Sequence, residues 1–157
     1  MKVNYVDILY WTAKMLKTNF PNNNIYIDKN EHEIIVPSFF LQVSPLSIVE
    51  GFDLFKYKTV NLIIEYVDRT ALSEKKLQVI DDLQELIGRG VTVAQANGDK
   101  RTLPVFNKKP IIADAGILFV TLQYYDGHAE PLNPEDPDKS YDGLMEILAL
   151  NVKANDK

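Results

Sequence analysis

Apolar residues along this chain recur with two periods, and the change from one period to the other marks out its elements. Over 5–19, Val6, Leu9, Ala13, Leu16 and Phe20 follow one another at intervals of three and four, and Ile8, Trp11 and Met15 form a second such row. Two rows predict an amphipathic helix with a wide apolar face that meets more than one neighbour. Asn4 stands in position to cap it, and Asp7 lies in the first turn, where a carboxylate suits the helix dipole. Pro21 restricts Phe20 and the asparagines after it favour a turn, so the helix ends there. A second helix is expected over 74–87, capped by Ser73, with Leu72 and Leu77 as a hydrophobic staple. Its inner face would be Leu77, Ile80, Leu83 and Ile87, and Gly88 and Gly90 stop it.

Period two governs the rest. "IYI" at 25–27 is a short strand, and "SFFLQV" at 38–43 alternates Phe39, Leu41 and Val43 with Phe40 and Gln42. Pro37 precedes that strand and Pro45 interrupts it, which predicts an edge position or a bulge. "FKYKTVNLIIEYVD" at 55–68 is the longest extended stretch. Phe55, Tyr57 and Thr59 face one way, Lys56 and Lys58 the other, and the stretch from Val60 to Val67 is mostly apolar on both faces. Its 14 residues would span roughly 46 Å at ~3.3 Å each, so one half is expected in a buried sheet and the other in a projecting hairpin arm. "VTVAQA" at 91–96 and "RTLPVF" at 101–106 flank "NGDK", a hairpin signal. "AGILFVTLQYYDG" at 115–127 is the last strand, with Leu118, Val120, Leu122 and Tyr124 on one face. Runs of strands between two lone helices predict an α+β fold: a mostly antiparallel sheet with two helices packed on it. The chain divides into a single domain at 1–127 and a linker with a C-terminal tail at 128–157.

Composition narrows the function. The 157 residues suit one domain, and a formal net charge of −5 argues against a general nucleic-acid binder, since basic residues come no denser than pairs. Without cysteine the chain has no disulfide frame, no Cys-based zinc site and no thiol nucleophile. No apolar run approaches the ~18 residues of a membrane span, and nothing reads as a signal peptide, so a soluble, intracellular protein is expected.

Catalytic chemistry finds little support. His32 and His128 stand in polar segments without metal-ligand spacing, and "GRG" at 88–90 and "NGD" at 97–99 are turns rather than phosphate loops. "EPLNPEDPD" lacks the spacing and the central glycine of a calcium loop and reads as solvated linker. Asp114 is a turn residue before the last strand, with no second acid or His beside it. Of 16 aromatic residues, counted as one Trp, eight Tyr and seven Phe, several lie on strands. Basic interleaving is limited to Lys56 and Lys58, too sparse for a nucleic-acid stacking platform. No enzyme, no metal and no cofactor are expected; what remains is a binding or assembly protein.

At this point the order of elements and several local words resemble a known group. The N-terminal helix runs into "NFPNNNIYIDKNEHEIIVPSFFLQV", then come "FKYKTVNLIIEYVD", "SEKKLQVIDDLQELI" and a final "ILFVTLQYYDG". This is similar to the tail terminator, or tail completion, proteins of phages and phage-tail-like particles, of the contractile kind. The resemblance covers most of 4–127, and the closing "LMEILALNVKA" also looks like the ending of such proteins. It implies a six-membered ring seated on the last ring of the tail tube. Such a ring stops tube polymerisation, fixes the upper end of the sheath and faces the head-side connector. The implied partners are further copies of the chain, the tube protein, the sheath protein and the connector, with DNA passing through unbound and no membrane. The implied location is the virion tail, assembled in the host cytoplasm. A head–tail connector or neck protein, or a small acidic binding protein of immunity type, is the alternative.

A ring that caps a tube needs arms, and the 45–68 hairpin and the 96–108 loop are the candidates. Lys56, Lys58, Lys100 and Arg101 are candidate contacts to acidic partner surfaces. Leu144, Met145, Ile147, Leu148, Leu150 and Val152 make a greasy end beyond the acidic linker. Burying those six side chains would gain about 1.5–3 kcal/mol each, while ordering roughly ten residues costs ~1–2 kcal/mol apiece. The two nearly cancel, so this tail is expected to dock where its backbone also finds partners, on an adjoining subunit or the sheath.

Overall fold

Alternation of burial along one central strand organises the fold. A computed structural model of the chain describes residues 2–27, 34–51, 55–94 and 98–127, all within the unit Met1–Gly127. It contains α1 (Tyr5–Asn19), β1 (Asn24–Tyr26), β2 (Ser38–Gly51), β3 (Phe55–Val67), α2 (Ser73–Ile87), β4 (Gly90–Ala94), β5 (Lys100–Ile112) and β6 (Gly116–Gly127). The strands form one sheet in the order β1-β2-β3-β6-β5-β4. Every pairing is antiparallel except the short one between β1 and β2. This is the α+β architecture that the order of periods predicts.

β3 pairs along its length with β2 on one side and β6 on the other. Val60, Leu62, Ile64 and Tyr66 of β3 are buried, as are Phe39 and Leu41 of β2 and Leu118, Val120, Leu122 and Tyr124 of β6. They form one core with Ile8 and Leu16 of α1 and Val79, Ile80, Leu83 and Ile87 of α2. The other face of the sheet carries no helix among the described residues and, apart from Ser38 and Phe40 of β2, is half-buried or exposed. Neutral polar pairs tie it together: Thr121 donates to Asn61 Oδ1 at 2.8 Å, and Tyr57 OH donates to Gln123 Oε1 at 2.8 Å.

The two helices refine what the spacing predicts. In α1 the buried residues are Ile8, Thr12 and Leu16, and Val6 is exposed. At 100° per residue, the midline between the two apolar rows falls on Thr12, so the rows flank the buried line rather than define it. Asp7 accepts from the Asn4 N–H at 2.9 Å, which closes the first turn. Trp11 Nε1 donates to the Ala94 carbonyl at 2.7 Å and ties α1 to β4.

In α2, Ser73 is the first helical residue rather than the cap. Leu72 holds the N-cap position, extended, with its carbonyl accepting from the Lys75 and Lys76 N–H groups. With Leu72 as the N-cap, Leu72 and Leu77 no longer hold the staple positions, both are exposed, and Val79 takes the place on the inner face expected of Leu77. Gly88, at φ 56°, ends the helix as expected. A Cβ on Gly116 would stand 3.1 Å from Ile80 Cγ1, so α2 lies close on the start of β6.

Two strands run further than their sequences suggest. β2 continues through Pro45 to Gly51, with a register shift between Pro45 and Ser47, which is the bulge that the proline predicts. β5 continues through Asn107, Lys108, Lys109 and Pro110 to Ile112. β4 pairs with β5 no further than Pro104, so the later half of β5 is an edge, where a proline is tolerated. Among the described residues, no helix is long and apolar enough to cross a membrane.

Asp68 closes the turn from β3 into α2. Its carboxylate accepts from the Thr70 N–H at 3.0 Å, the Thr70 hydroxyl at 2.8 Å and the Tyr66 hydroxyl at 3.1 Å, with Lys75 Nζ at 3.7 Å. Burial alone would raise its pKa, but the bonds from Thr70 and Tyr66 and the Lys75 charge outweigh it and hold the carboxyl below its usual value. Burial, together with the bond to Asp68, pushes Tyr66 up to about 12.

A depressed carboxyl stabilises the fold above its unfolded pKa and loses that contribution as pH falls through the folded value. Asp68→Asn should therefore cost about 1–3 kcal/mol at neutral pH. In urea unfolding, the gap to the parent should narrow as pH falls below about 4. A gap independent of pH would show that the Asp68 charge contributes nothing.

Candidate functional site

The inward phase of β3 and β6 continues past the apolar core into charge. Lys58 follows the parity of Val60, Leu62 and Ile64, and Asp126 follows that of Leu118, Val120, Leu122 and Tyr124. Both are buried, Lys58 at 8% exposure and Asp126 at 4%. A charge at such depth persists only when paired and hydrogen-bonded. Here Lys58 Nζ lies 2.5 Å from Asp126 Oδ2, and Asp126 Oδ1 accepts from the Val3 N–H at 3.1 Å. Lys58 also donates to the Val3 carbonyl at 3.5 Å and stands over the rings of Tyr5 and Tyr124, at 5.4 and 5.9 Å. Arg101 approaches from β5, with Nη1 3.6 Å from Asp126 Oδ1, and donates through Nη2 to the Tyr125 carbonyl. One carboxylate thus gathers β3, β5, β6 and the segment leading into α1. Burial and the Asp126 charge raise the Tyr124 pKa, so its phenol stays neutral.

Beside this cluster β5 and β6 separate. Their shared register runs from Ile112 and Gly116 to Val105 and Leu122, and beyond it 100–104 of β5 pairs with β4 instead. The gap opens as a hollow of about 450 Å³ lined by Arg101, Pro104, Val105, Phe106, Gln123, Tyr125, Tyr57 and Tyr124. Tyr57 and Tyr125 pack with ring centroids 4.8 Å apart. Phe106 is 69% exposed and Tyr125 62%, a display of aromatic surface at the mouth of the hollow. Across β3 from β6, Leu46, Ile48 and Val49 of β2 are also exposed.

Of the four cations that the sequence singles out, the structure brings Lys58 and Arg101 together. Lys58 is committed to Asp126 of its own chain instead of facing outward. Lys56 lies in the row of Glu50 and Asp126, and Lys100 opens β5 opposite Ala94. Leu144, Met145, Ile147, Leu148, Leu150 and Val152 fall outside the described residues, as do His32 and His128. Asp126 escapes a reading by motif, yet parity marks it: a carboxylate in the inward phase of a buried strand has to meet a cation. Phe106, Tyr57 and Tyr125 carry no such signal, because their gathering depends on where β5 leaves β6. Among the described residues, no three or more His, Cys, Asp or Glu side chains are grouped to hold a metal ion.

Comparison with known proteins supplies what the geometry lacks. The sequence model of a family described as "Phage tail terminator protein" matches residues 7–131. No curated protein matches the chain. Among solved structures, one chain is similar at 14% identity over 82% of this chain and 99% of that one, with a TM-score of 0.48, a likeness too loose to carry an argument.

Removing one partner of a buried pair strands the other, at a cost of about 3–5 kcal/mol. Lys58→Met should lose part of that stability in chemical denaturation, because Asp126 stays buried with Arg101 as its remaining cation. Adding Asp126→Asn, which keeps an oxygen for the Val3 N–H, should recover more than half of the loss. Additive losses would show that the two side chains act independently.

Proposed function

This chain belongs to the phage tail terminator family, and from that premise we propose that it forms a ring, six-membered by the family resemblance, that caps the tail tube. Capping stops tube polymerisation, and the upper surface of the ring meets the head-side connector. In a contractile tail the ring also holds the upper end of the sheath. The family match across 7–131 carries this reading. The described fold suits it: a buried core on one face, and exposed apolar strand residues at Leu46, Ile48, Val49, Phe106 and Tyr125 that call for covering. A structural role of this kind needs no catalytic group, and DNA passes such a ring without being bound.

The partner contacts are assigned by chemistry. Lys56 and Lys100 face acidic surfaces of the tube or of the neighbouring copy. The segment 144–152 docks on an adjoining subunit or on the sheath, carried there by the acidic linker. Its six apolar side chains gain about as much as ordering the segment costs, so backbone pairing on the partner decides the balance.

Electron microscopy of particles from cells lacking this gene tests the function. Overlong, ragged tubes or headless tails are expected. Tails of normal length without heads would move the protein to the neck, and normal particles would remove it from tail assembly. In the same cells, a chain lacking 140–157, and separately Lys56→Glu with Lys100→Glu, should be retained less on purified tails. The melting temperature of each variant should match the parent. A large fall for the truncated chain would mean that its tail packs on its own domain. Full retention of the charge variant would release both lysines from any partner contact.

A further inference from the structure

The strands β2, β3 and β6 run side by side as a ribbon, and each outer side of the ribbon is open at the same end. On one side, β1 covers Ser38, Phe39 and Phe40 of β2 and nothing beyond them, so the outer edge of β2 from Leu41 to Gly51 has no strand partner among the described residues. On the other side, β5 leaves β6 after Leu122, which uncovers the edge over 123–127. The register places these openings level with one another. Val49, Tyr57 and Tyr125 share a row, as do Ser47, Thr59 and Gln123. Tyr125 turns its carbonyl toward the gap, where Arg101 takes it. Since successive residues of a strand aim their backbone groups to opposite sides, Gln123 and Gly127 address the same gap.

Resting on the ring reading above, we propose that these two edges meet: the outer edge of β2 in one copy adds as a strand to the β6 edge of the next. The polarity fits. β2 and β6 are both antiparallel to β3, so copies related by rotation about an axis along the strands pair β2 to β6 in parallel, each in the same orientation.

The side chains fit as well. In the row-matched register, Val49 of one copy comes beside Tyr125 on the helix-free face and enters the hollow under Phe106. That hollow, about 450 Å³, has room for an aliphatic side chain and its neighbours. Val49 with Leu46 at one edge, and Phe106 with Tyr125 at the other, stand exposed, apolar surface of the kind a partner covers. The incoming strand takes over the Tyr125 carbonyl, and Arg101 keeps its ion pair with Asp126. The contact is heterologous, one patch against a different one, and such contacts close into rings when the rotation allows.

Disulfide trapping tests this, because the chain has no cysteine of its own. Within one copy, Val49 and Tyr125 are separated by β3, about 10 Å at the ordinary strand spacing. That is beyond the reach of a disulfide, so any bond joins two copies. Ser47→Cys or Val49→Cys, each combined with Gln123→Cys or Tyr125→Cys, covers the neighbouring parallel registers. Oxidation of purified tails and of the purified protein should give a ladder of covalent multimers for at least one pairing.

Val49→Asp should abolish the ring on size-exclusion with light scattering while leaving the melting temperature of the single copy unchanged, since Val49 is 60% exposed. Rings of parent mass that yield no ladder with any pairing would overturn the edge contact and leave the ring reading standing. A parent chain that is monomeric in solution and on tails would overturn both.

Discussion

β3 has hydrogen-bonded partners on both sides along its whole length, and its alternation admits one phase. Even-numbered positions from Lys58 to Tyr66 point into the core and odd-numbered ones point away. A slip of one residue would turn Val60, Leu62, Ile64 and Tyr66 outward together, so the register against β2 and β6 is pinned by the burial of one face. The helices then have a single place to go. The inner faces of α1 and α2 cover the face that carries those residues, and the opposite face is left to neutral pairs such as Asn61 with Thr121.

The same phase explains the buried charges. The inward parity does not stop where the apolar residues stop, and it carries Lys58 and Asp126 into the interior at the end of the core. An ion pair at that depth offsets the cost of desolvation only with full hydrogen bonding. The chain supplies this with the Val3 backbone and with Arg101. The N-terminal segment is thereby fastened to the ribbon, and Arg101 draws the first half of β5 across the gap that β5 itself opens. A structural demand of the core thus fixes the geometry of the hollow. The exposed aromatic residues around it, Phe106 and Tyr125, sit on strands β5 and β6.

Sequence pattern and structure agree in most elements and part company where packing decides. Both helices lie where their spacing places them, and the bulge falls at Pro45. The cap of α2 shifted by one residue, because the backbone leaving the Asp68 turn reaches helical geometry already at Ser73. The second half of β5 was hidden by Asn-Lys-Lys-Pro, which carries no strand signal; β6 recruits it through backbone bonds that do not depend on side-chain type. Lys56 and Lys58 look alike in the sequence, two residues apart on one face, yet the structure buries Lys58 against Asp126 of its own chain.

By itself the sequence determined the α+β class, the two helices, the long strands and, through its order of elements and local words, the tail terminator family. These are legible because hydrophobic period and turn chemistry act over neighbouring residues. Tertiary structure alone decided that Asp126 gathers Lys58, Arg101 and Val3, that β5 parts from β6 after Leu122, and that Tyr57, Phe106 and Tyr125 meet around one hollow. Each of these joins residues far apart in the chain, and which strand lies beside which is settled by the packing of the whole sheet, not by any local run of residues.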